Sequence, residues 1–125
     1  DLGCDVTVKR NDEVEMSEIE KFEYLVLSPG PGIPDEAGEL KNIISRFGST
    51  KKILGVCLGH QILGVYFGAG INILKKPMHG KVSQIYLKEK SKIYSGINPS
   101  FKATRYHSLY LSEKNFPNNL LITSI

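Results

Sequence analysis

The chain has 125 residues, of which 41% are hydrophobic and 23% are charged, a balance typical of one compact globular domain. No apolar run approaches the length of a membrane span, and the first residues lack the basic and apolar regions of a secretory signal peptide. The net charge is +3, and residues 75–92 hold six lysines against one glutamate, but that stretch has no arginine and only one aromatic residue. We therefore expect a solvated or partner-facing surface there, with no binding to nucleic acid or membrane.

The two cysteines, Cys4 and Cys57, lie far apart in the sequence and do not make a disulfide framework. In a chain without a secretory signal, we expect reduced thiols and a cytoplasmic location. There are three histidines and neither a Cys-x-x-Cys nor a His-Glu-x-x-His motif, so no metal-site pattern is present. We expect neither a metal nor a cofactor.

The N-terminal part predicts a strand, a helical turn and a second strand. Apolar and polar residues alternate over positions 4–9, as in a half-buried strand. Ser17 and Glu20 have the spacing of a capping box for a short helical turn. The continuous apolar run Tyr24–Leu27 predicts a strand buried on both faces. This strand ends at the loop Ser28–Pro34, whose prolines and glycines exclude both helix and paired strand.

The middle of the chain predicts a helix, a strand and another helix. The first helix covers positions 35–47, with Gly48 as its C-cap. Its apolar face consists of Leu40, Ile43, Ile44 and Phe47. Positions 52–56 predict a short buried strand, and positions 58–67 predict the helix that follows it. The apolar stripe of that helix consists of Ile62, Leu63, Tyr66 and Phe67.

The rest of the chain is richer in strands, predicted at positions 71–74, 82–87, 101–106 and 120–124, with a turn at 96–99. The first half alternates strand and helix instead, which implies a parallel sheet with right-handed crossovers. We predict an α/β fold with an open, mostly parallel sheet, flanking helices and a small antiparallel strand portion. Because the proline–glycine loop and Cys57 both follow strands, we expect them to meet at the carboxyl edge of the sheet.

The run Gly55-Val56-Cys57-Leu58-Gly59 is the most informative motif in the chain. It has the Gly-x-nucleophile-x-Gly pattern of a strand-to-helix elbow, with cysteine in the position of the usual serine. The glycines allow a sharp turn without a Cβ clash, and the sulfur is then presented at a helix N-terminus. The helix dipole and N–H groups there stabilise a thiolate and can bind a developing oxyanion. The alternative is a buried structural cysteine.

The loop Ser28-Pro29-Gly30-Pro31-Gly32 also has a possible chemical use. Its glycines let a substrate approach the main chain closely, and its prolines keep the loop stiff. A stiff loop beside an exposed cysteine could present backbone N–H groups to an acyl oxygen. The alternative is a plain surface turn. The nearby elbow favours the functional interpretation.

Four motifs, taken together, closely resemble class I (triad-type) glutamine amidotransferases. They are Ser28–Gly38, Gly55–Gln61, Met78–Lys81 and Arg105–Leu109, in that order. Within this class they are similar to the glutaminase components of anthranilate synthase and of aminodeoxychorismate synthase. The resemblance spans nearly the whole chain, and it implies the α/β fold of that class.

The resemblance implies that Cys57 attacks the side-chain amide of L-glutamine, releases ammonia and forms a γ-glutamyl thioester that water then hydrolyses. Backbone groups of Gly32 and Leu58 would form the oxyanion hole. His79-Gly80 would lie near a partner synthase subunit, which receives the ammonia and aminates chorismate. The implied glutamine-binding residues are Gly30, Pro31, Gly32, Gln61, Ser108 and Leu109, the last two acting largely through the main chain.

The chain also departs from the family pattern. The family carries its catalytic histidine and glutamate in a downstream His-Pro-Glu motif that these residues do not contain, and the chain starts inside the first strand–helix–strand unit. We expect residues 1–125 to be a partial domain that is inactive alone, because Cys57 has no general base. We also expect it to be unstable alone, because the loss of a strand at the edge of a domain exposes apolar surface. The histidines are not expected to replace it: His60 is interpreted as a structural hydrogen-bonding group, His79 as a surface residue and His107 as a positioning residue.

Several functions stay open at this stage. The favoured one is anthranilate synthase component II, a glutaminase subunit of tryptophan biosynthesis. The corresponding glutaminase of aminodeoxychorismate synthase, in folate biosynthesis, shares the same motifs. A cysteine hydrolase acting on γ-glutamyl or other amides without a synthase partner is a different class of enzyme. A truncated interaction module, which binds the synthase but does not hydrolyse glutamine, is a non-enzymatic alternative.

Overall fold

The computed structural model describes residues 3–125, which divide into two compact units. Unit 1 ends at Tyr66, and unit 2 comprises Phe67–Ile125. No helix within residues 3–125 is both long and apolar enough to cross a lipid bilayer.

Unit 1 alternates strands and helices, as the sequence predicts. Its elements are α1 (Met16–Ile19), β1 (Tyr24–Leu27), a 3-10 turn (Pro34–Glu36), α2 (Leu40–Phe47), β2 (Lys52–Gly55) and α3 (Leu58–Tyr66). Strands β1 and β2 pair in parallel, with Leu27 opposite Gly55 at their carboxyl ends. The predicted parallel α/β arrangement is therefore confirmed for the described residues.

The core of unit 1 lies between the helices and one face of this sheet. One cluster of buried side chains joins β1 to the helices and contains Leu27, Ala37, Ile44, Leu58 and Ile62. A second cluster contains Ile19, Ile43 and Phe47. The predicted apolar face of α2 is confirmed, since Ile43, Ile44 and Phe47 are buried. In α3, Ile62 is buried as predicted, whereas Tyr66 is exposed.

The prediction that β1 is buried on both faces is wrong for the described part of the chain. Tyr24 and Val26 are 63% and 65% exposed, and Leu54 on β2 is 50% exposed. Successive side chains of a strand point to opposite faces, so these residues share the face that the helices do not cover. A continuous apolar run makes a strand suitable for burial on both faces, but each face is buried only where another helix or strand packs against it.

Two local predictions near the N-terminus are also wrong. Positions 4–9 form no strand, and Val6 and Val8 are 71% and 86% exposed. Alternation alone does not make a strand, because backbone N–H and C=O groups need a neighbouring strand with which to pair. Ser17 does not cap α1, since the helix begins one residue earlier and its N-cap is Glu15.

The helix α2 begins later than predicted. A 3-10 turn occupies Pro34–Glu36, and Gly38 then adopts a φ of +55°, which interrupts the helical path before Leu40. The predicted C-cap at Gly48 is confirmed, and its N–H donates to the carbonyl oxygen of Ile44 at 2.7 Å. A Cβ at Gly48 would lie 2.5 Å from that same oxygen, so no residue with a side chain fits at this position without a shift of the backbone.

Unit 2 is dominated by two long antiparallel strands, β3 (Ile71–Tyr86) and β4 (Ser100–Leu111). The sequence predicts two separate strands at 71–74 and 82–87, whereas the structure joins them through register shifts on either side of Met78–His79. Pro77, which lacks an N–H group, and Gly80, with a φ of +64°, lie at these irregularities and interrupt the sequence pattern. The predicted small antiparallel portion is therefore confirmed, with longer strands.

The predicted strand at positions 120–124 is reduced to one bridge. Ser124 pairs with Leu87 in an antiparallel bridge, and the backbones of Tyr86 and Ile125 exchange hydrogen bonds of 2.8 and 3.0 Å. The Tyr94 hydroxyl also lies 2.8 Å from the Ser124 hydroxyl. The segment therefore pairs with the last residue of β3 and with the residues that follow it, including Lys88, whose N–H donates to the carbonyl oxygen of Thr123 at 2.9 Å. It does not form an extended strand.

Candidate active site

The backbone at Cys57 is left-handed, with a φ of +52°. This conformation costs a non-glycine residue about 1–3 kcal/mol and persists only where surrounding contacts hold it. Here the N–H groups of Gly59 and Gln61 donate to the carbonyl oxygens of Val56 and Cys57, both at 3.0 Å. The N–H of Val56 donates to the carbonyl oxygen of Leu27 at 2.9 Å. These bonds fix the turn from β2 into α3 on both sides of the cysteine.

The two glycines of the elbow are required by close packing. A Cβ at Gly59 would overlap the carbonyl oxygen of Leu27, at the end of β1. A Cβ at Gly55 would lie 2.6 Å from the carbonyl group of Gly59 and from the backbone nitrogen of His60. Real Cβ atoms do not approach backbone atoms so closely, so α3 can begin directly on the strand ends only because both positions lack a side chain.

The proline–glycine loop lies beside the first turn of α3. Because β1 and β2 are parallel, the loop after β1 and the cysteine after β2 emerge at the same edge, as predicted. A Cβ at Gly30 would lie 3.1 Å from Cδ2 of Leu58, so the loop backbone contacts the residue next to Cys57. Gly32 has a φ of +87°, which favours glycine, and a Cβ at this position would lie 3.3 Å from Oε2 of Glu36.

This geometry places the thiol of Cys57, the predicted nucleophile, beside a helix N-terminus and a glycine-rich loop. Cys57 is half-buried directly before α3, at the positive end of the helix dipole and next to the backbone N–H of Leu58. Loop residues Gly30 and Gly32 are exposed, whereas Gln61 is 6% exposed within the first turns of α3. Such an arrangement is suited to acyl transfer, in which a sulfur attacks a carbonyl carbon and N–H groups bind the oxyanion. Within residues 3–125, no group of three or more side chains is arranged to hold a metal ion.

His60 follows the elbow on α3 and stays partly in contact with solvent. Desolvation of the ring lowers the pKa of His60 below its usual value of 6.5, because burial disfavours the charged imidazolium. The neutral form of His60 is therefore favoured at physiological pH.

In unit 2, His107 is held between two neighbours on β4. The Arg105 Nε–H donates to Nε2 of His107 at 2.9 Å, and Nδ1 of His107 lies 2.7 Å from the carbonyl oxygen of Leu109. Because arginine can only donate, Nε2 must be the acceptor, and the proton must lie on Nδ1. His107 is therefore a neutral imidazole that donates to Leu109. Its single acceptor nitrogen is occupied by Arg105, which argues against His107 as a general base.

The other sequence-predicted residues of unit 2 lie on the strands. Ser108 is exposed and Leu109 is half-buried on β4, and their use in one site with Cys57 stays a prediction. His79 and Gly80 are exposed on β3, with the His79 ring edge-on to Tyr106 at 5.3 Å between centroids. Sequence reasoning missed the contacts of Arg105. The sequence contains a signal for these contacts, because Arg105, His107 and Leu109 are spaced two residues apart and therefore lie on one face of a strand.

A family model described as "Glutamine amidotransferase class-I" matches residues 1–125. The chain is 45% identical over 126 residues to anthranilate synthase component 2 of Porphyra purpurea, covering 99% of this chain and 66% of that protein. It is 42% identical over 126 residues to aminodeoxychorismate synthase component 2 of Serratia marcescens, covering 99% of this chain and 65% of that protein. The chain thus spans just under two thirds of the length of each relative.

A solved structure has the same arrangement of elements. The crystal structure of SMU.1228c superposes with a TM-score of 0.77 and 28% identity, covering 98% of this chain and 57% of that one. The family match covers all 125 residues. The chain therefore belongs to the class I glutamine amidotransferase family.

Proposed function

We propose that the protein containing this chain is a glutaminase subunit that delivers ammonia to a chorismate-using synthase subunit, as anthranilate synthase component II does. The strained elbow at Cys57, placed against the proline–glycine loop, is the observation that carries this proposal. A structural cysteine needs neither a left-handed backbone nor a helix N-terminus. Strain of this kind is concentrated at functional sites.

The proposed reaction begins when the Cys57 thiolate attacks the side-chain amide carbon of L-glutamine. The carbonyl electrons move to the oxygen, which the backbone N–H groups of Gly32 and Leu58 bind. The C–N bond then breaks, and ammonia leaves after it has received a proton, so that a γ-glutamyl thioester remains on the sulfur. Water hydrolyses the thioester to glutamate. We assign the proton transfers to the histidine of a His-Pro-Glu motif, which is not among these residues.

Six residues are proposed to bind glutamine. They are Gly30, Pro31, Gly32, Gln61, Ser108 and Leu109. The loop glycines allow the substrate to approach the main chain, and the buried amide of Gln61 is held on α3 next to the elbow. Ser108 and Leu109 are proposed to bind the α-amino and α-carboxyl groups of the substrate through their main chain.

The proposed partner is the synthase subunit, component I. The exposed His79-Gly80 segment of β3, where the His79 ring lies edge-on to Tyr106, is the proposed contact region. The proposed product is anthranilate, in cytoplasmic tryptophan biosynthesis. The second candidate is the aminodeoxychorismate branch of folate biosynthesis, because a relative that carries that name is nearly as similar to this chain as the anthranilate relative.

The test is performed on the full-length protein together with its synthase subunit. Cys57→Ala should abolish glutamine-dependent formation of the aminated product, whereas synthesis from added ammonium salt should be unchanged. A reactive glutamine analogue should add its mass to the peptide that contains Cys57. Cys4→Ala is the matched control, since Cys4 is the exposed second cysteine, and it should retain both activities. Glutamine-dependent activity that survives in Cys57→Ala would overturn the proposal.

A separate comparison distinguishes the two branches and the partner-free hydrolase. Chorismate and the synthase should stimulate glutamine hydrolysis by the subunit, and chromatography of the product should identify anthranilate. Release of aminodeoxychorismate instead would favour the second candidate. A rate of glutamine hydrolysis that is the same with and without the synthase would favour an amide hydrolase that acts without a partner.

A further inference from the structure

The side chain of Asn11 links the segment before α1 to the end of the proline–glycine loop. Its Nδ2 group donates to the carbonyl oxygen of Ala37 at 3.2 Å, although 26 positions separate the two residues in the sequence. Asn11 lies in a turn in which the N–H of Glu13 donates to the carbonyl oxygen of Arg10 at 3.1 Å. Residues 3–15 contribute no strand to the sheet, so this contact with the loop is made by a side chain and not by strand pairing.

The backbone at positions 37 and 38 accommodates this amide closely. Gly38 has a φ of +55°, which favours glycine, and a Cβ at this position would lie 3.2 Å from Nδ2 of Asn11. The carbonyl oxygen of Ala37 also accepts the N–H of Leu40 at 3.2 Å, at the beginning of α2. The Asn11 amide therefore binds the chain where the loop enters α2.

The side chain of Ala37 is part of the core beside the elbow. Ala37 is 5% exposed and belongs to the same buried cluster as Leu58 and Ile62 of α3. Leu58 directly follows Cys57 in the sequence. Ala37 is therefore held twice, by apolar packing against α3 and by the hydrogen bond from Asn11 to its carbonyl group.

The 3-10 turn connects Ala37 to Gly32, the loop residue proposed to bind the oxyanion. The N–H of Ala37 donates to the carbonyl oxygen of Pro34 at 3.4 Å, and the N–H of Glu36 donates to that of Ile33 at 3.0 Å. Ile33 directly follows Gly32. A displacement of Ala37 is therefore transmitted through a short hydrogen-bonded turn to the backbone of Gly32.

The loop itself depends on contacts at its two ends. Residues 28–33 form neither a helix nor a paired strand. At the upstream end, the carbonyl oxygen of Leu27 accepts the N–H of Val56 at 2.9 Å. At the downstream end, the 3-10 turn and Ala37 are the anchor. Backbone donors stabilise an oxyanion best when they are oriented before the reaction, because reorientation during the reaction costs free energy.

We propose that Asn11 is a positioning residue, which fixes the downstream end of the loop and thereby orients the Gly32 N–H toward the oxyanion. This proposal rests on the proposed glutaminase function. Asn11 acts through Ala37 and the 3-10 turn, and it is assigned no contact with glutamine. The thiol of Cys57 depends instead on the bonds of the elbow, which do not involve Asn11. Removal of the Asn11 bond should thus impair oxyanion binding and leave the reactivity of the thiol unchanged.

Asn11→Asp is the most specific substitution, because it removes the donor and keeps the shape of the side chain. An ionised carboxylate can only accept hydrogen bonds, so the bond to the Ala37 carbonyl is lost. Asn42→Asp is the matched control. Asn42 is also exposed, but it lies on α2, and its Nδ2 donates to the Glu39 carboxylate at 2.9 Å. The two variants carry the same chemical change, and only the first removes a bond to the loop.

The experiment follows a single turnover of labelled glutamine by an excess of the full-length protein bound to its synthase subunit, with chorismate present. Both formation and hydrolysis of the thioester pass through an oxyanion, so Asn11→Asp should lower the rate of glutamate formation about fivefold, the factor for one net hydrogen bond. The protein concentration that gives half the maximal rate should stay within about twofold of the unmodified value. Alkylation of Cys57 by iodoacetamide, in which no oxyanion forms, should proceed at an unchanged rate. Asn42→Asp should leave all three quantities unchanged.

An unchanged rate of glutamate formation in Asn11→Asp would overturn the positioning role. A decrease in the alkylation rate by the same factor would also overturn it, because Asn11 would then support the fold in general and not the loop. The thermal midpoint is measured for each variant, and if Asn11→Asp does not fold, Asn11→Ala takes its place with the same criteria. Failure of the glutaminase function itself is distinguished by Cys57→Ala, which in that case retains glutamine-dependent activity.

Discussion

At the scale of single residues, the backbone of Cys57 is where local preference and function conflict. A left-handed φ is unfavourable for cysteine, yet hydrogen bonds on both sides of the residue impose it. The Gly-x-Cys-x-Gly pattern predicted the elbow and its cysteine. The contacts of His107 were not predicted, because they depend on which side chains meet along a strand and on where the register of β3 shifts.

The strain at Cys57 is measurable by comparing two substitutions that both remove the sulfur. Cys57→Gly should be more stable than Cys57→Ala by about 0.5–1 kcal/mol. Alanine keeps the energetic cost of a left-handed φ, whereas glycine adopts this φ freely. Glycine also gives the unfolded chain more conformational freedom, which cancels part of this advantage. The midpoints of urea unfolding of the full-length protein give the difference. An alanine variant that is as stable as the glycine variant would show that the backbone at Cys57 is not strained.

We expect His60 to make the free energy of unfolding depend on pH. Burial lowers its pKa in the folded protein below 6.5, so the unfolded chain binds the proton first as the pH falls. Stability should therefore decrease as the pH drops from about 7 toward 5, a range above the usual titration of carboxylates. His60→Gln, which does not titrate, should show a smaller decrease in the urea midpoint over this range. The same decrease in both proteins would assign the effect to other groups.

At the scale of elements, the site depends on how closely α3 begins on the ends of two parallel strands. The sequence predicted β1, β2, α2 and α3 well, because each has a strong local pattern of apolar residues and a clear loop or cap at its ends. It failed at positions 4–9, where the alternating pattern lacks a neighbouring strand. It also divided β3 in two, because Pro77 and Gly80 usually end strands and here mark irregular pairing.

The contact between α3 and β1 predicts a severe effect of Gly59→Ala. The new methyl group would overlap the carbonyl oxygen of Leu27, so the helix must move away from the strand. We expect a loss of about 3 kcal/mol or more in the free energy of unfolding, together with a loss of glutaminase activity. Gly70→Ala is the matched control, since its methyl group would meet only the Ser112 side chain at 3.6 Å. Equal unfolding midpoints for the two variants would contradict this account.

At the scale of the whole chain, unit 1 leaves an apolar surface open. Tyr24, Val26 and Leu54 lie on the face of the β1–β2 sheet that the described helices do not cover. Both strands of this pair also have an outer edge with no partner among the described strands. Exposed apolar patches and unpaired strand edges are the two features that most strongly promote association between chains.

This surface predicts how the 125-residue polypeptide behaves when it is produced alone. It should self-associate at micromolar concentration, and sedimentation velocity should detect species larger than 13.9 kDa. The double variant Val26→Lys and Leu54→Lys should shift the distribution toward monomer, because charges on the open face oppose both apolar contact and edge pairing. Ile93→Lys is the control, since Ile93 is 64% exposed but lies outside the sheet, and it should leave association unchanged. If the polypeptide is monomeric and unfolds in one cooperative thermal transition, the open face is not a source of instability, and the expectation that this chain is unstable alone is wrong.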